Sequence, residues 1–326
     1  GVEQVLPSTI DLMGTEIRSQ VETLPTYAEY LSSLPETLQS EKNGKNCVFT
    51  GAGDSFAAAM ATEHITMHNA RSHDPYEIAR QPSIAAGSHL YIISVSGRTK
   101  SNVEAARLAR GSAREVTAVT ANPDSALAES CDNVVELRFR SEARLTPGTT
   151  SFTSSLLACY SRVRLLPKIS DLSDVYDAAL SWCHDIKIPL HSTTFLVGTG
   201  LAYPLAAYGK AKIFEVLGSK SQSQRTEQFS HMELFSLTKD DLTIIMPEDE
   251  NDLQARALQA QLEENSFKTA ILPPRCQDRV HESLRAAISL QVLAWKTAKD
   301  NGMTDCAFIN KSELLKISDR MIYLSE

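Results

Sequence analysis

At 326 residues the chain is too long for one core of ordinary size, so two domains are the expectation. Hydrophobic residues at 42% and charged residues at 22% give the profile of a globular protein and exclude a disordered or fibrous one. A formal charge of -8, with no clustered basic residues, excludes a nucleic-acid partner on electrostatic grounds. The six cysteines (Cys47, Cys131, Cys159, Cys183, Cys276, Cys306) form no CxxC pair and have no His companions at zinc-binding spacing, so they read as small buried hydrophobes in a reducing compartment. No apolar run approaches the ~20 residues that span a bilayer, and the polar start Gly1-Val2-Glu3-Gln4 does not read as a signal peptide, so no membrane partner and a cytoplasmic location are expected.

In chain order, Thr9 to Gln39 reads as helix interrupted at Pro25 and Pro35, packed outside any sheet. Short β-branched runs then alternate with longer amphipathic stretches, the pattern of βαβ units on a parallel sheet. Strands are predicted at Asn46 to Thr50, Leu90 to Val95, Glu115 to Thr120 and Asn133 to Phe139, with helices at Phe56 to His68 and Asn102 to Arg110. A helical connection over Thr150 to Ile186, in which Pro167 ends one helix, leads to a second set. Its strands fall at Thr193 to Val197, Leu242 to Met246 and Thr269 to Leu272, and its helices at Tyr203 to Leu217, Asp252 to Asn265 and Val280 to Lys299. The halves look like a duplicated unit: an N-terminal helical segment over 1–44, a first α/β unit over 45–166, and a linker helix with a second unit over 167–326. Each unit is expected to be a doubly wound parallel sheet flanked by helices.

Gly51-Ala52-Gly53-Asp54-Ser55 runs from the first strand into a helix, a geometry that aims backbone N–H groups at an anion. A tight turn alone explains it equally. A dinucleotide fingerprint fits poorly, because its third Gly would fall at Phe56 and no acidic residue closes a strand about 20 residues on. The second strand ends in Ser94-Val95-Ser96-Gly97-Arg98-Thr99, which puts three hydroxyls and several N–H groups in one turn. One hydroxyl would suffice as a helix cap. Three, with modest help from Arg98 or Lys100, suit a phosphate monoester that must be bound and then released.

The second half contributes Gly198-Thr199-Gly200, then Tyr203-Pro204-Leu205-Ala206, Gly209-Lys210-Ala211-Lys212-Ile213-Phe214-Glu215 and Glu227-Gln228-Phe229-Ser230-His231. The segment Gly198 to Glu215 resembles the isomerase domain of glucosamine-fructose-6-phosphate aminotransferases, a member of the double-SIS (sugar isomerase) family, down to the sixteen-residue interval between Glu215 and His231. The Ser94 to Thr99 run is similar to that family's phosphate loop, and Gly51 to Ser55 to its first sugar-binding turn. The resemblance covers the chain from about Asn46. It implies an aldose-ketose isomerase or amino-sugar phosphate deaminase acting on a hexose 6-phosphate through an enediol, with no cofactor or metal. Glu215 would move the proton between C2 and C1, and His231 would act at the ring oxygen, reaching across a homodimer. Ser94, Val95, Ser96, Gly97 and Thr99 would hold phosphate; Gly53, Ser55, Thr149 and Thr150 would line the sugar, and Lys316 or Arg320 would close the site. Glu77 resembles an acidic residue of the family between the first two strands. Surface solvation explains Glu77, Lys316 and Arg320 equally, and helix capping explains Thr149 and Thr150.

The pattern also departs from its relatives. No glutaminase domain precedes the unit, so glutamine is not expected as the ammonia source. Pro147 is followed by Gly148 rather than the Arg of the two-function phosphoglucose/phosphomannose isomerases, and Met232-Glu233 follows His231 in place of Gly-Pro. Acidic Glu248 and Asp249 occupy the second half's counterpart of the Ser-rich turn and would repel phosphate, so one phosphate site per chain is expected. The rival classes are a non-catalytic sugar-phosphate sensor and a fructosamine-type deglycase or an ether lyase.

Overall fold

A computed structural model describes residues 5–35, 42–142, 144–275 and 278–325; Cys276 lies outside the described residues. The chain begins with α1 (Thr9–Ser32), capped by the Ser8 hydroxyl, which accepts from the Asp11 N–H. α1 corrects the expectation of a break at Pro25: the helix runs through it and ends before Pro35. Pro25 forfeits one backbone hydrogen bond. The compensation is an apolar stripe on both sides of it, Ile10, Met13, Ile17, Leu24, Tyr27 and Leu31, all buried.

The first sheet is built from β1 (Cys47–Gly51), α2 (Asp54–Ile65), β2 (Arg71–Ser72), α3 (Pro75–Arg80), β3 (His89–Ile93), α4 (Lys100–Ala109), β4 (Glu115–Thr120), α5 (Ala126–Glu129) and β5 (Asn133–Glu136). Its order is β2-β1-β3-β4-β5, all parallel. β1 and β3 are buried at every residue, as strands with helices on both faces must be. Helices α6 (Thr150–Val163) and α7 (Leu172–Cys183), with Pro167 between them, connect to the second sheet. That half comprises β6 (Thr194–Gly198), α8 (Ala202–Lys212), a π-helical turn (Ile213–Leu217), β7 (Ser221–Arg225), α9 (Thr226–His231), β8 (Leu242–Met246), α10 (Leu253–Glu264), β9 (Lys268–Ile271) and α11 (Arg279–Asp300). Its order, β7-β6-β8-β9, repeats the first sheet's logic with one strand fewer. α12 (Ser312–Ile322) follows, with no buried residue.

The halves share one apolar core. Phe49 and Tyr91 of the first sheet, Leu196 and Ile244 of the second, and α1, α6, α8 and α11 between them belong to the same buried cluster. That shared layer fixes the two sheets relative to one another and brings the end of α8 onto the start of α2. None of the described helices is long and apolar enough to cross a membrane.

Candidate active site

In an open parallel sheet the crevice for a ligand lies where the strand order reverses, beyond the carboxyl ends of the strands. In the first sheet that point is between β1 and β3, whose exit loops are Gly51-Ala52-Gly53 and Ser94 to Thr99. Gly51 has no space for a side chain, since a Cβ would stand 2.6 Å from Ser55 Cβ, and Gly53 takes φ 61° to start α2. Ser55 is buried just inside that helix.

The hydroxyl-rich turn is folded by its own side chains. Ser94 Oγ accepts from Gly97 N–H at 3.1 Å and Ser96 Oγ from Arg98 N–H at 3.2 Å. Each hydroxyl accepts in these bonds, which leaves its O–H able to donate to an anion. Thr99 occupies the N-cap of α4 without making a side-chain cap bond. Gly97 stands at φ 68°, where a Cβ would lie 2.1 Å from Ser125 Oγ. Val95 holds the turn to β4 through its carbonyl, which accepts from Thr120 Oγ1 and Ala121 N–H.

Glu215 reaches this end of the molecule from the other half. The π turn widens the end of α8 and sets Glu215 beside Lys212 on the preceding turn. The fully buried Lys212 Nζ lies 2.6 Å from Glu215 Oε2 and 2.7 Å from Asp54 Oδ2, the first residue of α2. One ammonium thus joins the first sheet's Gly turn to the second half's carboxylate. Burial works against its charge, but Asp54 and Glu215 more than reverse this, so the Lys212 pKa is raised. Burial pushes Glu215 up, Lys212 pulls it back, Asp54 pushes it up again, and the net shift is upward. Its Oε2 is enclosed, although the side chain as a whole is 36% exposed. A carboxyl with a raised pKa and an open edge can accept and return a proton.

The segment between the halves closes over the pair. Tyr208 Oη donates to the Gly148 carbonyl at 2.6 Å, the Phe152 and Tyr208 rings stack at 3.7 Å, and a Cβ on Gly148 would stand 2.5 Å from Asp54 Oδ2. The Gly at this position, where the two-function isomerases have Arg, leaves room for Asp54. Beside it a hollow of about 380 Å³ is walled by Val95, Phe139, Arg144, Thr146, Thr149 and Thr150. Thr149 and Thr150 are at the hollow, but their hydroxyls are already committed. Thr149 Oγ1 donates to Glu16 Oε2 at 3.1 Å and Thr150 Oγ1 to the Glu16 carbonyl at 3.3 Å; neither is spent on a helix cap. Glu16, whose carboxyl is pushed up by burial, went unnoticed because it comes from α1, outside any motif.

His231 ends α9 and turns to its own helix rather than to Glu215: its Nε2 pairs with Glu227 Oε1 at 2.8 Å, and its side chain is 67% exposed. Glu77 is exposed on α3. At the C-terminus, Lys316 and Arg320 are both exposed on α12. The tail beyond α12 docks on the phosphate turn: Tyr323 bridges Thr99, Leu324 N–H donates to the Arg98 carbonyl, and Lys100 Nζ donates to the Arg320 carbonyl at 2.6 Å. Lys311 approaches the Glu215 turn instead, its Nζ 3.2 Å from where a Gly218 Cβ would stand. A Lys-Ser pair opening the last amphipathic stretch was the available signal for it.

The second sheet's counterpart crevice is a hollow of about 420 Å³. Glu248 fills its anion position. The carboxylate lies over Gly200 and accepts from Leu201 N–H at the start of α8, the place a phosphate would otherwise take.

Residues 42–163 match the SIS domain family. Among curated proteins no relative matches. Solved structures do. Tagatose-6-phosphate ketose/aldose isomerase from Escherichia coli superposes with a TM-score of 0.74 at 18% identity, over 92% of this chain and 96% of that one. Glucosamine-6-phosphate deaminase from Thermotoga maritima gives 0.71 at 18% identity, over 90% and 95%. The C-terminal domain of glucosamine-fructose-6-phosphate aminotransferase from Francisella tularensis gives 0.66 at 18% identity, over 93% and 98%. Both halves thus share the fold of these proteins.

Proposed function

We propose that this chain, whose residues 42–163 match the SIS domain family, moves protons between C1 and C2 of a hexose 6-phosphate, as an isomerase or as a deaminase that also releases the C2 amine as ammonia. The observation that carries this is the Asp54–Lys212–Glu215 bridge, which sets a carboxyl of raised pKa from the second half against the ligand crevice of the first. In the isomerase reaction Glu215 takes the C2 proton of the open-chain aldose while the C1 carbonyl oxygen gains a proton. The resulting enediol collapses to the ketose when the same proton returns to C1 and the C2 hydroxyl gives up its own. Lys212 holds the Glu215 carboxylate in place between these steps. The phosphate is held by the O–H groups of Ser94, Ser96 and Thr99 and the N–H group of Val95, in the turn that Gly97 shapes between β3 and α4. Gly53 and Ser55 border the sugar, and Thr149 and Thr150 line it through their non-hydroxyl atoms and through Glu16. The tail that follows Lys316 and Arg320 covers the phosphate turn through Tyr323, and Lys311 approaches the turn at Gly218.

His231 completes the site from a second copy of the chain. Its exposure, and that of Met232 (52%) and Phe235 (85%) beside it, supports a surface covered in a homodimer. Glu248 in the second crevice leaves one phosphate site per chain.

Incubation with fructose 6-phosphate, glucose 6-phosphate and glucosamine 6-phosphate, each with and without ammonium, tests the proposal. Interconversion of the first two marks an isomerase, and ammonia release from the third a deaminase. Tight binding of all three with no turnover would replace catalysis by sensing.

A further inference from the structure

Among the described residues, the largest fully buried side chain is a cation with no carboxylate paired to it. Arg162, near the end of α6, is 1% exposed. Its Nε and Nη2 both donate to the same neutral acceptor, the neighbouring Ser161 Oγ, at 3.1 Å, and its Nη1 is buried with no hydrogen-bond partner. Its ionisable neighbours are Tyr91, Tyr27 and Cys159. Burial pushes the Cys159 thiol up to about 12 and raises the Tyr27 phenol further, so both stay neutral near pH 7 and supply no negative charge. A buried guanidinium in that state is costly, and proteins normally pair such a charge or give it a ligand.

The surroundings offer room for one. Arg162 walls a hollow of about 70 Å³ together with Leu31, Ser32, Ser161 and Arg164. A second guanidinium and two hydroxyl residues therefore share the space, and among the described residues no carboxylate lines it. A hexose phosphate is far too large for this volume, whereas a single tetrahedral oxyanion fits. The hollow lies between the ends of α1 and α6, one long helix away from Thr150, where α6 meets the candidate active site. We propose that Arg162, with Arg164, binds a small inorganic oxyanion of the phosphate or sulfate type at this second site, which ties α1 to α6. The planar fork of Arg suits such an ion better than a Lys would.

Sulfate is the probe, because it resembles phosphate and keeps one charge state. Since sulfate also competes for the turn at Ser96 and Thr99, the test uses the full chain carrying Ser96→Ala and Thr99→Ala, so that failure here and failure of the proposed function remain distinguishable. Thermal unfolding is followed as sodium sulfate replaces HEPES, a counter-anion too bulky for the hollow, at constant ionic strength. The expected result is a Tm rise of about 5 °C at a sulfate concentration a hundredfold above Kd, lost when Arg162→Met is added. Arg162→Lys should weaken sulfate binding about tenfold while keeping the cation, and it serves as the readout if Arg162→Met does not fold. In sulfate-free buffer Arg162→Met should be at least as stable as its parent, because it removes an orphaned charge. A Tm rise that survives both substitutions, no rise at all, or a marked loss of stability on Arg162→Met without sulfate would each overturn the site.

Discussion

Replacing Lys212 by Met tests whether one buried ammonium holds the two halves of the site together. Two contacts of 2.6 and 2.7 Å correspond to a gross attraction of about 6 kcal/mol each at an effective dielectric of about 20. Desolvation of the ammonium offsets much of that, and removing one member of a buried pair typically costs about 3–5 kcal/mol. Asp54 and Glu215 remain 22% and 36% exposed, so water recovers part of the loss. The lower end, about 3 kcal/mol, is therefore expected. In urea at pH 7 this is a fall in midpoint of about 1 M for an m value of about 3 kcal/mol/M. The triple variant Lys212→Met, Asp54→Asn, Glu215→Gln removes the stranded charges as well and should recover most of the stability, because a neutral replacement of a buried ion cluster is tolerated. Acid should also rescue the single variant as Glu215, whose pKa burial raises, protonates. A loss below about 1 kcal/mol, well under the usual cost of breaking a buried pair, or a triple variant as unstable as the single one, would refute the reasoning.

Gly97→Ala should destabilise the protein by about 1–3 kcal/mol through its positive φ and the clash with Ser125, and should raise KM for the sugar phosphate more than it lowers kcat; denaturant melts and steady-state kinetics read the two effects. Ending the chain at Ile322 removes the Tyr323 bridge to Thr99 and should weaken sugar-phosphate binding with little change in Tm, measured by titration calorimetry and calorimetric melting. Glu215 is raised above its ordinary value of 4.5 in the fold, so it adds stability below about pH 4.5 that is lost as pH climbs through its folded pKa. Glu215→Gln should therefore flatten the stability-pH curve over that window, and an unchanged curve would contradict the assignment.

The central strands were legible because burial on both faces leaves them short, β-branched and almost free of charge; Glu115 to Thr120 and Leu242 to Met246 match the observed strands residue for residue. The edge strands β2, Arg-Ser, and β7, Ser-Gln-Ser-Gln-Arg, escaped notice because an edge needs polar residues and carries no periodic apolar signal. The hydroxyl turn and Glu215 could be named from motif spacing, but their meeting depends on the shared core between the halves, which no local pattern encodes. Lys212 stood in the open, three residues before Glu215 in a helix otherwise buried on that face, and its burial was the missing fact. Thr149 and Thr150 are named through the family resemblance, whereas the bonds their hydroxyls make to Glu16 of α1 join distant parts of the chain and leave no local signal. The tail was harder still. α12, not predicted from the sequence, buries nothing in the single chain, and no local pattern says where the tail beyond it docks.

Incorporation of solvent deuterium at C2 of a bound hexose 6-phosphate, compared between the native protein and Glu215→Gln, bears most directly on the role given to this carboxyl. The expected result is exchange by the native chain and its loss in the variant, with sugar-phosphate affinity retained to within a few-fold. Exchange at an undiminished rate in Glu215→Gln would contradict it.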